Sequence, residues 1–237
     1  LLSVLFHPLM SSRSELLFPM PDNPTPNNKP PILWAQTLMF VITLAIALIA
    51  VPWYGFTTGY HWSQWLGFVF ILGANGISIT AGYHRLWAHN AYKAHPVLRM
   101  FYALFGAAAF QNSILIWATG HRVHHRHVDD VDQDPYSARR GFWFSHIGWM
   151  LRDYPASSED FSNARDLQRD KIVMWQHRNY LALVVIMNFA PALALGFGEG
   201  DTEIQNRPPR PKTEGILTQF HWTIIVIYSI LLTSAVI

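Results

Sequence analysis

The sequence contains no cysteine, and only 14% of its 237 residues are charged. Without cysteine the chain has no disulfide and no thiolate ligand, so any transition metal must be held by histidine, carboxylate or amide groups. Globular domains usually carry about 25% charged residues, whereas 51% of this chain is hydrophobic. This composition excludes an ordinary soluble domain and is typical of an integral membrane protein.

Charge is absent from one long stretch and concentrated in another. No Asp, Glu, Lys or Arg occurs between Pro30 and Tyr83, whereas 12 of the 17 Lys and Arg residues lie between Arg85 and Arg178. The sequence shows no internal repeat and no glycine-rich nucleotide motif, and we expect no nucleic-acid partner. The charge distribution therefore predicts a chain divided into membrane-embedded and aqueous parts.

Four segments are apolar enough to cross a membrane as helices, which requires about 20 residues each: 33–51, 62–81, 180–197 and 216–237. Pro52 should end the first of them, because proline breaks a helix. The turn that follows is aromatic and free of Lys and Arg, so the positive-inside rule places it outside the cell. We therefore predict an all-α fold, an integral membrane helical bundle of about four transmembrane helices with a cytosolic, histidine-rich cap.

The predicted organisation has three parts. Residues 1–31 are rich in proline and are expected to form a disordered, cytosolic amino-terminal tail. Residues 32–198 form the membrane domain, with the aqueous cap at 82–179. Residues 199–237 combine a polar, proline-rich linker with the last predicted span.

Histidines form two clusters within the predicted cap. Four of the 12 fall within seven consecutive residues, and His121, His124 and His125 stand at i, i+3 and i+4. On a helix these three rings project from one face. A second cluster, His84 and His89, lies upstream. Five imidazoles are more than a structural zinc site uses, and a histidine-rich site without sulfur favours iron, copper or zinc.

The spacing within the first cluster has a structural consequence. His84 and His89 are five residues apart, about 140° around an ideal α-helix. They share a face only where the helix bulges or ends, which we predict here. The apolar segment 97–119 could form another span, but a crossing would place the two clusters on opposite sides of the membrane. We therefore predict a helix pair in the cytosolic interface, with His121 at its exit.

The polar residues that follow the second histidine cluster each allow a functional and a purely structural role. The aspartates after the second cluster could orient imidazole N–H groups or form a solvated acidic loop. His146 lies among aromatic residues, where a histidine is more often packed or hydrogen-bonded than bound to a metal. The adjacent Arg139 and Arg140 could hold a phosphate or anionic head group, or could serve only the positive-inside rule.

These motifs resemble the membrane fatty acyl desaturases of the stearoyl-CoA (delta-9) type. Residues 82–89 match the first histidine box of that family, and residues 121–125 match the second. Further likeness lies in three segments around the second box: 110–112, 132–135 and 139–149. The third histidine box of the family is absent from this sequence.

The resemblance implies a di-iron centre held mainly by histidines, with ligand positions at His84, His89, His121, His124 and His125. It implies two iron ions as cofactor, dioxygen as co-substrate, and electrons from a cytochrome b5- or ferredoxin-type donor. The reaction would introduce a cis double bond into a saturated fatty acyl chain. An unactivated methylene has no acidic proton, so side-chain acids and bases alone cannot perform this chemistry.

The resemblance also implies which residues bind the substrate. The candidate substrate-binding residues are Asn112, Trp117, Arg139, Arg140 and Trp149. The acyl carrier stays open between coenzyme A, acyl carrier protein and an intact membrane lipid, because residues before the second box differ from those of animal members. We expect a membrane location, in the bacterial inner membrane, with the histidine clusters in the cytosol.

The missing third box favours a truncated or altered desaturase with about half of the metal site. A related histidine-box hydroxylase or ketolase is one alternative. A haem protein with two histidine ligands is another, although its histidines would have to face each other inside the bilayer. The third is a non-enzymatic fragment or regulatory partner of a complete desaturase.

Overall fold

The computed structural model describes residues 29–57, 59–60, 62–157 and 160–190. Within these ranges the fold is all-helical, and the only extended pairing is an isolated bridge between Ile32 and Arg152. The predicted all-α class is confirmed for this part of the chain. The predicted last span, its linker and most of the predicted tail lie outside the described residues.

The first long helix extends from Trp34 to Thr57. It consists of α1 (Trp34–Ala45), the π-helix π1 (Ile46–Ala50) and α2 (Val51–Thr57). The prediction that Pro52 ends this helix is wrong. A proline lacks the N–H that an α-helix needs and its ring crowds the preceding turn. π1 ends two residues before Pro52. Because the hydrogen bonds of a π-helix run to the carbonyl five residues earlier, the α-helical pattern is already interrupted in the turn before the proline, and the helix continues.

The second long helix is formed by α3 (Trp62–Ile77) and a second π-helix, π2 (Ser78–Ala88). It continues past the predicted end at residue 81. This helix and the first are the two described helices that are long and apolar enough to cross a membrane. Only 6% of the apolar window of the first helix is buried, so it is not the core helix of a soluble fold.

The helix pair predicted for 97–119 is present as α4 (Pro96–Ala108) and α5 (Ile114–Arg126). Between them Phe110 and Asn112 adopt positive φ angles of 61° and 73°. Ser113 begins α5 as its N-cap, because its hydroxyl accepts a hydrogen bond from the N–H of Ile116. The helix therefore breaks between α4 and α5, and the chain does not continue as one membrane-crossing helix.

The other described helices are shorter. They are α6 (Phe142–His146), α7 (Arg165–Gln168), α8 (Lys171–Arg178) and α9 (Tyr180–Ala190). Single 3₁₀ turns occupy Ala138–Arg140, Gly148–Met150, Pro155–Ser157 and Phe161–Ala164. α9 covers the first part of the predicted third span, whose remainder lies outside the described residues.

The core lies where π2, α4, α5 and α8 meet. Its fully buried side chains include Tyr83, Ile79, Ile114 and Val173. The buried Gln176 of α8 accepts a hydrogen bond from the N–H of Ile114 at 3.1 Å and donates one to Tyr83 Oη at 2.6 Å. One amide side chain thus joins the start of α5 to π2, which bear the two histidine clusters.

Candidate metal centre

Four histidines meet where π2 ends beside the second half of α5. The ligand atoms of His84, His89, His121 and His125 all lie within 4.8 Å of one another. The Nε2 atom of His89 lies 3.0 Å from that of His84 and 3.1 Å from that of His121. The Nε2 atoms of His121 and His125 are 3.0 Å apart. The fold thus brings together histidines from both sequence clusters.

The π-helix explains how His84 and His89 share this site. In a π-helix each N–H bonds to the carbonyl five residues earlier, and the N–H of His89 donates to the carbonyl of His84 at 3.0 Å. Residues five apart therefore lie one turn apart on the same side of the helix. The predicted bulge at this point is confirmed.

The nitrogen spacing is suited to a metal ion. A neutral imidazole Nε2 carries either one proton or one lone pair. A hydrogen-bonded chain through four Nε2 atoms would make His89 and His121 each serve two neighbours with a single proton or lone pair. Four lone pairs directed at one cation meet no such limit. Metal–imidazole bonds of about 2.0–2.1 Å place neighbouring ligand nitrogens roughly 3 Å apart. The three successive pairs, His84–His89, His89–His121 and His121–His125, have this separation.

The surroundings also favour neutral, ligand-competent imidazoles. Burial, followed in order by the adjacent His84, His125, His89 and His124, lowers the pKa of His121 to about 3. Burial, followed by His89 and His124, lowers the pKa of His125. Because only the neutral ring offers a lone pair, these groups are ready to bind a metal at neutral pH. A site of imidazoles without sulfur suits iron, copper or zinc.

The depressed pKa of His121 predicts a pH-dependent stability of the metal-free chain. An unfolded chain protonates this histidine near its ordinary pKa of about 6.5, whereas the folded chain resists protonation down to about 3. Stability is therefore complete above about pH 6.5 and falls as the pH drops towards about 3. Thermal unfolding in detergent with a chelator should show a midpoint that decreases from about pH 7 to about pH 5.

The control for that experiment is His121→Gln, which keeps a polar side chain but does not titrate. Its unfolding midpoint should depend less on pH over the same interval. Equal slopes in the two proteins would contradict the assignment of this pH dependence to His121.

His124 stands beside the group of four but is held differently. Its Nδ1 atom lies 2.8 Å from Oδ1 of Asp134, a fully buried carboxylate. Asp134 also accepts hydrogen bonds from the N–H groups of Asp129 and Tyr136, both at 3.1 Å. The carboxylate assigns the proton of His124 to Nδ1 and leaves Nε2 free as a ligand atom. Of the predicted orienting aspartates, Asp134 makes this contact.

Two aromatic side chains hold the ring of His121. Trp117 stacks on it, with ring centroids 4.8 Å apart and planes 21° apart. Tyr136 places its hydroxyl 3.4 Å from Nδ1 of His121. Burial, then the charge of Asp134, raises the pKa of Tyr136, so the phenol keeps its proton. Trp117 was predicted as a substrate contact, whereas no sequence pattern indicated a role for Tyr136.

The other candidate substrate residues lie in two regions. Asn112 is tied to the core, since its N–H donates to Tyr180 Oη at 2.9 Å and its carbonyl accepts from Tyr83 Oη at 3.3 Å. Trp149 packs on Tyr136 with centroids 5.3 Å apart. Of the predicted cationic pair, Arg139 is exposed. Its neighbour Arg140 lies over the rings of Phe144 in α6 and Tyr154.

Two further histidines make contacts of their own. His146 stacks on Phe142 at 4.1 Å, and its Nδ1 lies 2.9 Å from the carbonyl of that residue. This agrees with the interpretation of His146 as a packed, hydrogen-bonded side chain. His177 of α8 places Nδ1 2.7 Å from the hydroxyl of Ser113, and it therefore supports the start of α5.

Comparisons with known proteins identify a related family. Residues 60–199 match the family model described as fatty acid desaturase, which confirms the resemblance seen in the sequence. Residues 180–237 match the model described as cation transporting ATPase, C-terminus. That second match covers the segment 199–237, for which we predicted a polar linker and the last span.

Three curated relatives illustrate the similarity. Acyl-CoA desaturase 1 of Saccharomyces cerevisiae is 40% identical over 69% of this chain and 33% of its own length. The acyl-CoA Delta12-desaturase of Acheta domesticus is 41% identical over 72% of this chain and 48% of its own length. The stearoyl-CoA desaturase of Bos taurus is 45% identical over 53% of this chain and 35% of its own length. The chain thus spans less than half of each relative, and all three are eukaryotic, so a bacterial membrane stays a prediction.

Proposed function

The chain belongs to the fatty acid desaturase family, and from that membership we propose that it takes part in the oxygen-dependent introduction of a cis double bond into a saturated acyl chain. The observation that carries this proposal is the convergence of four imidazole Nε2 atoms from two separate helices. Because the matched relatives are more than twice as long as the aligned segment, the activity, substrate and partners are proposed for this chain by similarity.

We assign the iron to the four-histidine group. His84, His89, His121 and His125 would hold one ion through their Nε2 atoms. His124, with Nδ1 occupied by Asp134, would direct Nε2 at a second ion that needs further ligands. Bound iron would supply the reaction with dioxygen that removes hydrogen from an unactivated methylene. The protein's own part is to orient the ligands, to position the acyl chain and to exclude water.

The proposed substrate is a fatty acyl thioester, with acyl-CoA tested first because the names of the yeast and cattle relatives specify it. Acyl carrier protein and an intact acyl lipid are the alternatives. Trp117 and Trp149 would face the acyl chain, because Trp117 stacks on a proposed ligand and Trp149 packs on the adjoining Tyr136. Asn112, Arg139 and Arg140 would contact the carrier end of the substrate.

The proposed membrane placement is supported by the position of the histidine site at the end of an apolar helix. The second apolar helix, Trp65–Ala88, ends one residue before His89, so the metal would lie where that helix leaves the bilayer. We propose that this face is cytosolic, where a cytochrome b5- or ferredoxin-type protein could deliver electrons. Four spans and an integral membrane location are proposed on the same basis.

The direct test is product analysis with the full chain. Protein reconstituted with Fe²⁺ in lipid would be given a reductase, cytochrome b5 or ferredoxin, dioxygen and stearoyl-CoA. A monounsaturated acyl product should form, and none should form with His121→Ala. A hydroxylated product would identify the hydroxylase alternative instead. Bound iron without any acyl product would contradict a catalytic role and favour a regulatory partner of a complete desaturase.

A further inference from the structure

Arg122 uses all five N–H donors of its guanidinium group. Its Nε donates to the carbonyl of Ala88 at 2.9 Å, and Nη2 donates to the carbonyl of Trp87 at 2.8 Å. Nη1 donates to the carbonyl of Asn163 at 2.8 Å. The remaining two bonds form a bidentate pair with the carboxylate of Asp166 at 2.7 and 2.8 Å. One side chain thus contacts three segments of the fold.

Two of those acceptors stand at the end of π2. Trp87 and Ala88 are its last residues and directly precede His89. The final carbonyls of a helix have no partner within it and carry partial negative charge, so a guanidinium is a suitable cap. The backbone of Arg122 lies in α5 directly after His121. The backbone of Arg122 therefore moves with His121 and His125. Its side chain holds the end of π2, which positions His84 and His89.

The third segment fixes the plane of the guanidinium. Asn163 lies in the turn Phe161–Ala164, and its Nδ2 donates to the carbonyl of Thr119 in α5 at 3.1 Å. Asp166 then holds the guanidinium in a bidentate pair, a geometry that specifies orientation. Its side chain is 53% exposed, so the ion pair itself contributes little to stability. Its contribution is the orientation of the donors that reach π2.

We propose that Arg122 is a positioning residue that sets the separation between the His84–His89 pair and the His121–His125 pair, and thereby sets the affinity of the centre for metal. This inference rests on the proposed metal centre. Metal–nitrogen distances tolerate deviations of only about 0.2 Å, so a small shift of π2 relative to α5 removes ligands from range. Lysine cannot replace this contact pattern, because its ammonium has three donors and no planar fork.

The test compares Arg122→Lys with Arg99→Lys in the full chain. Arg99 also pairs with an aspartate, Asp170, and its side chain is 25% exposed, close to the 19% of Arg122. That pair joins α4 to the start of α8. Co²⁺ is the probe, because its visible absorption reports ligand number and geometry. Arg122→Lys should weaken Co²⁺ binding by about 10- to 100-fold and alter the spectrum. Arg99→Lys should match the unaltered protein, and Asp166→Asn should show a smaller loss than Arg122→Lys.

Hydrogen exchange of the metal-free proteins gives a second, independent readout. Amides of residues 84–91 should exchange faster in Arg122→Lys but not in Arg99→Lys, at equal unfolding midpoints. Equal Co²⁺ affinity in Arg122→Lys and the unaltered chain, or an equal loss in Arg99→Lys, would overturn the positioning role. If the unaltered chain bound no Co²⁺, the proposed metal centre would fail. The exchange comparison would then decide by itself whether Arg122 holds the end of π2.

Discussion

Replacing His121 by alanine is expected to abolish tight iron binding by this chain. His121 lies at the middle of the group, because its Nε2 atom is 3.1 Å from that of His89 and 3.0 Å from that of His125. Its loss leaves three imidazoles, of which His84 and His89 come from π2 and His125 from α5. It also removes the ring on which Trp117 stacks. We expect a loss of affinity greater than the roughly 100-fold that follows from the removal of an orienting partner.

The measurement is iron per chain by elemental mass spectrometry after anaerobic loading with Fe²⁺ and removal of loose metal. The unaltered chain should hold one ion at the single four-histidine group among the described residues, and His121→Ala should hold almost none. The matched control is His146→Ala, because His146 is bonded to Phe142 within its own short helix. Full iron retention by His121→Ala would refute the ligand assignment. A second ion that the unaltered chain binds and His124→Ala loses would place a second site at His124.

The sequence predicted the parts of this site that depend on local spacing. The i, i+3, i+4 pattern of His121, His124 and His125 placed three rings on one face, and the described α5 carries all three. The five-residue spacing of His84 and His89 required a bulge, and π2 supplies it. In both cases helix geometry alone converts residue numbers into directions.

Contacts made across the fold could not be predicted in this way. Arg122 stands inside the second histidine cluster, but its acceptors at Trp87, Ala88 and Asp166 become neighbours only after π2 and α5 pack together. Tyr136 likewise reaches His121 from a separate loop. Pro52 does not end its helix, since the π-helix in the turn before it interrupts the α-helical hydrogen bonds, and no residue pattern indicated that π-helix. Residue spacing and single-residue preferences therefore do not predict contacts between distant segments or a helix that continues through proline.

The different role of His124, outside the group of four, also depends on a contact that forms only in the folded chain. Spacing placed His124 with His121 and His125 as equivalent ligands, and it left the role of the following aspartates open. Folding buries Asp134 completely and brings its carboxylate to Nδ1 of His124. The choice between an orienting carboxylate and a solvated loop is therefore made by burial, because a buried carboxylate requires hydrogen-bond donors.

Gly106→Ala is expected to destabilise the fold and to weaken metal binding together. A Cβ atom at Gly106 of α4 would overlap the ring of Tyr83 in π2, and one at Gly82 would lie 2.7 Å from Cβ of Tyr102 in α4. The two helices thus interlock, each placing a tyrosine against a glycine of the other. Tyr83 is fully buried and is hydrogen-bonded to Gln176. Its ring therefore cannot shift without disturbing its packing or this hydrogen bond. Overpacking of this kind costs about 1–3 kcal/mol.

Tyr83 directly precedes His84, so the displaced ring should also shift a proposed ligand. Unfolding in detergent and Co²⁺ affinity should therefore both fall in Gly106→Ala. Gly73→Ala is the matched control, because Gly73 is also helical and a Cβ there meets nothing within 4 Å. That substitution should leave Co²⁺ binding unchanged and raise stability by about 0.5–1 kcal/mol through the lower flexibility of alanine. Equal stability and metal affinity in Gly106→Ala and the unaltered chain would show that π2 and α4 do not pack as closely as this arrangement requires.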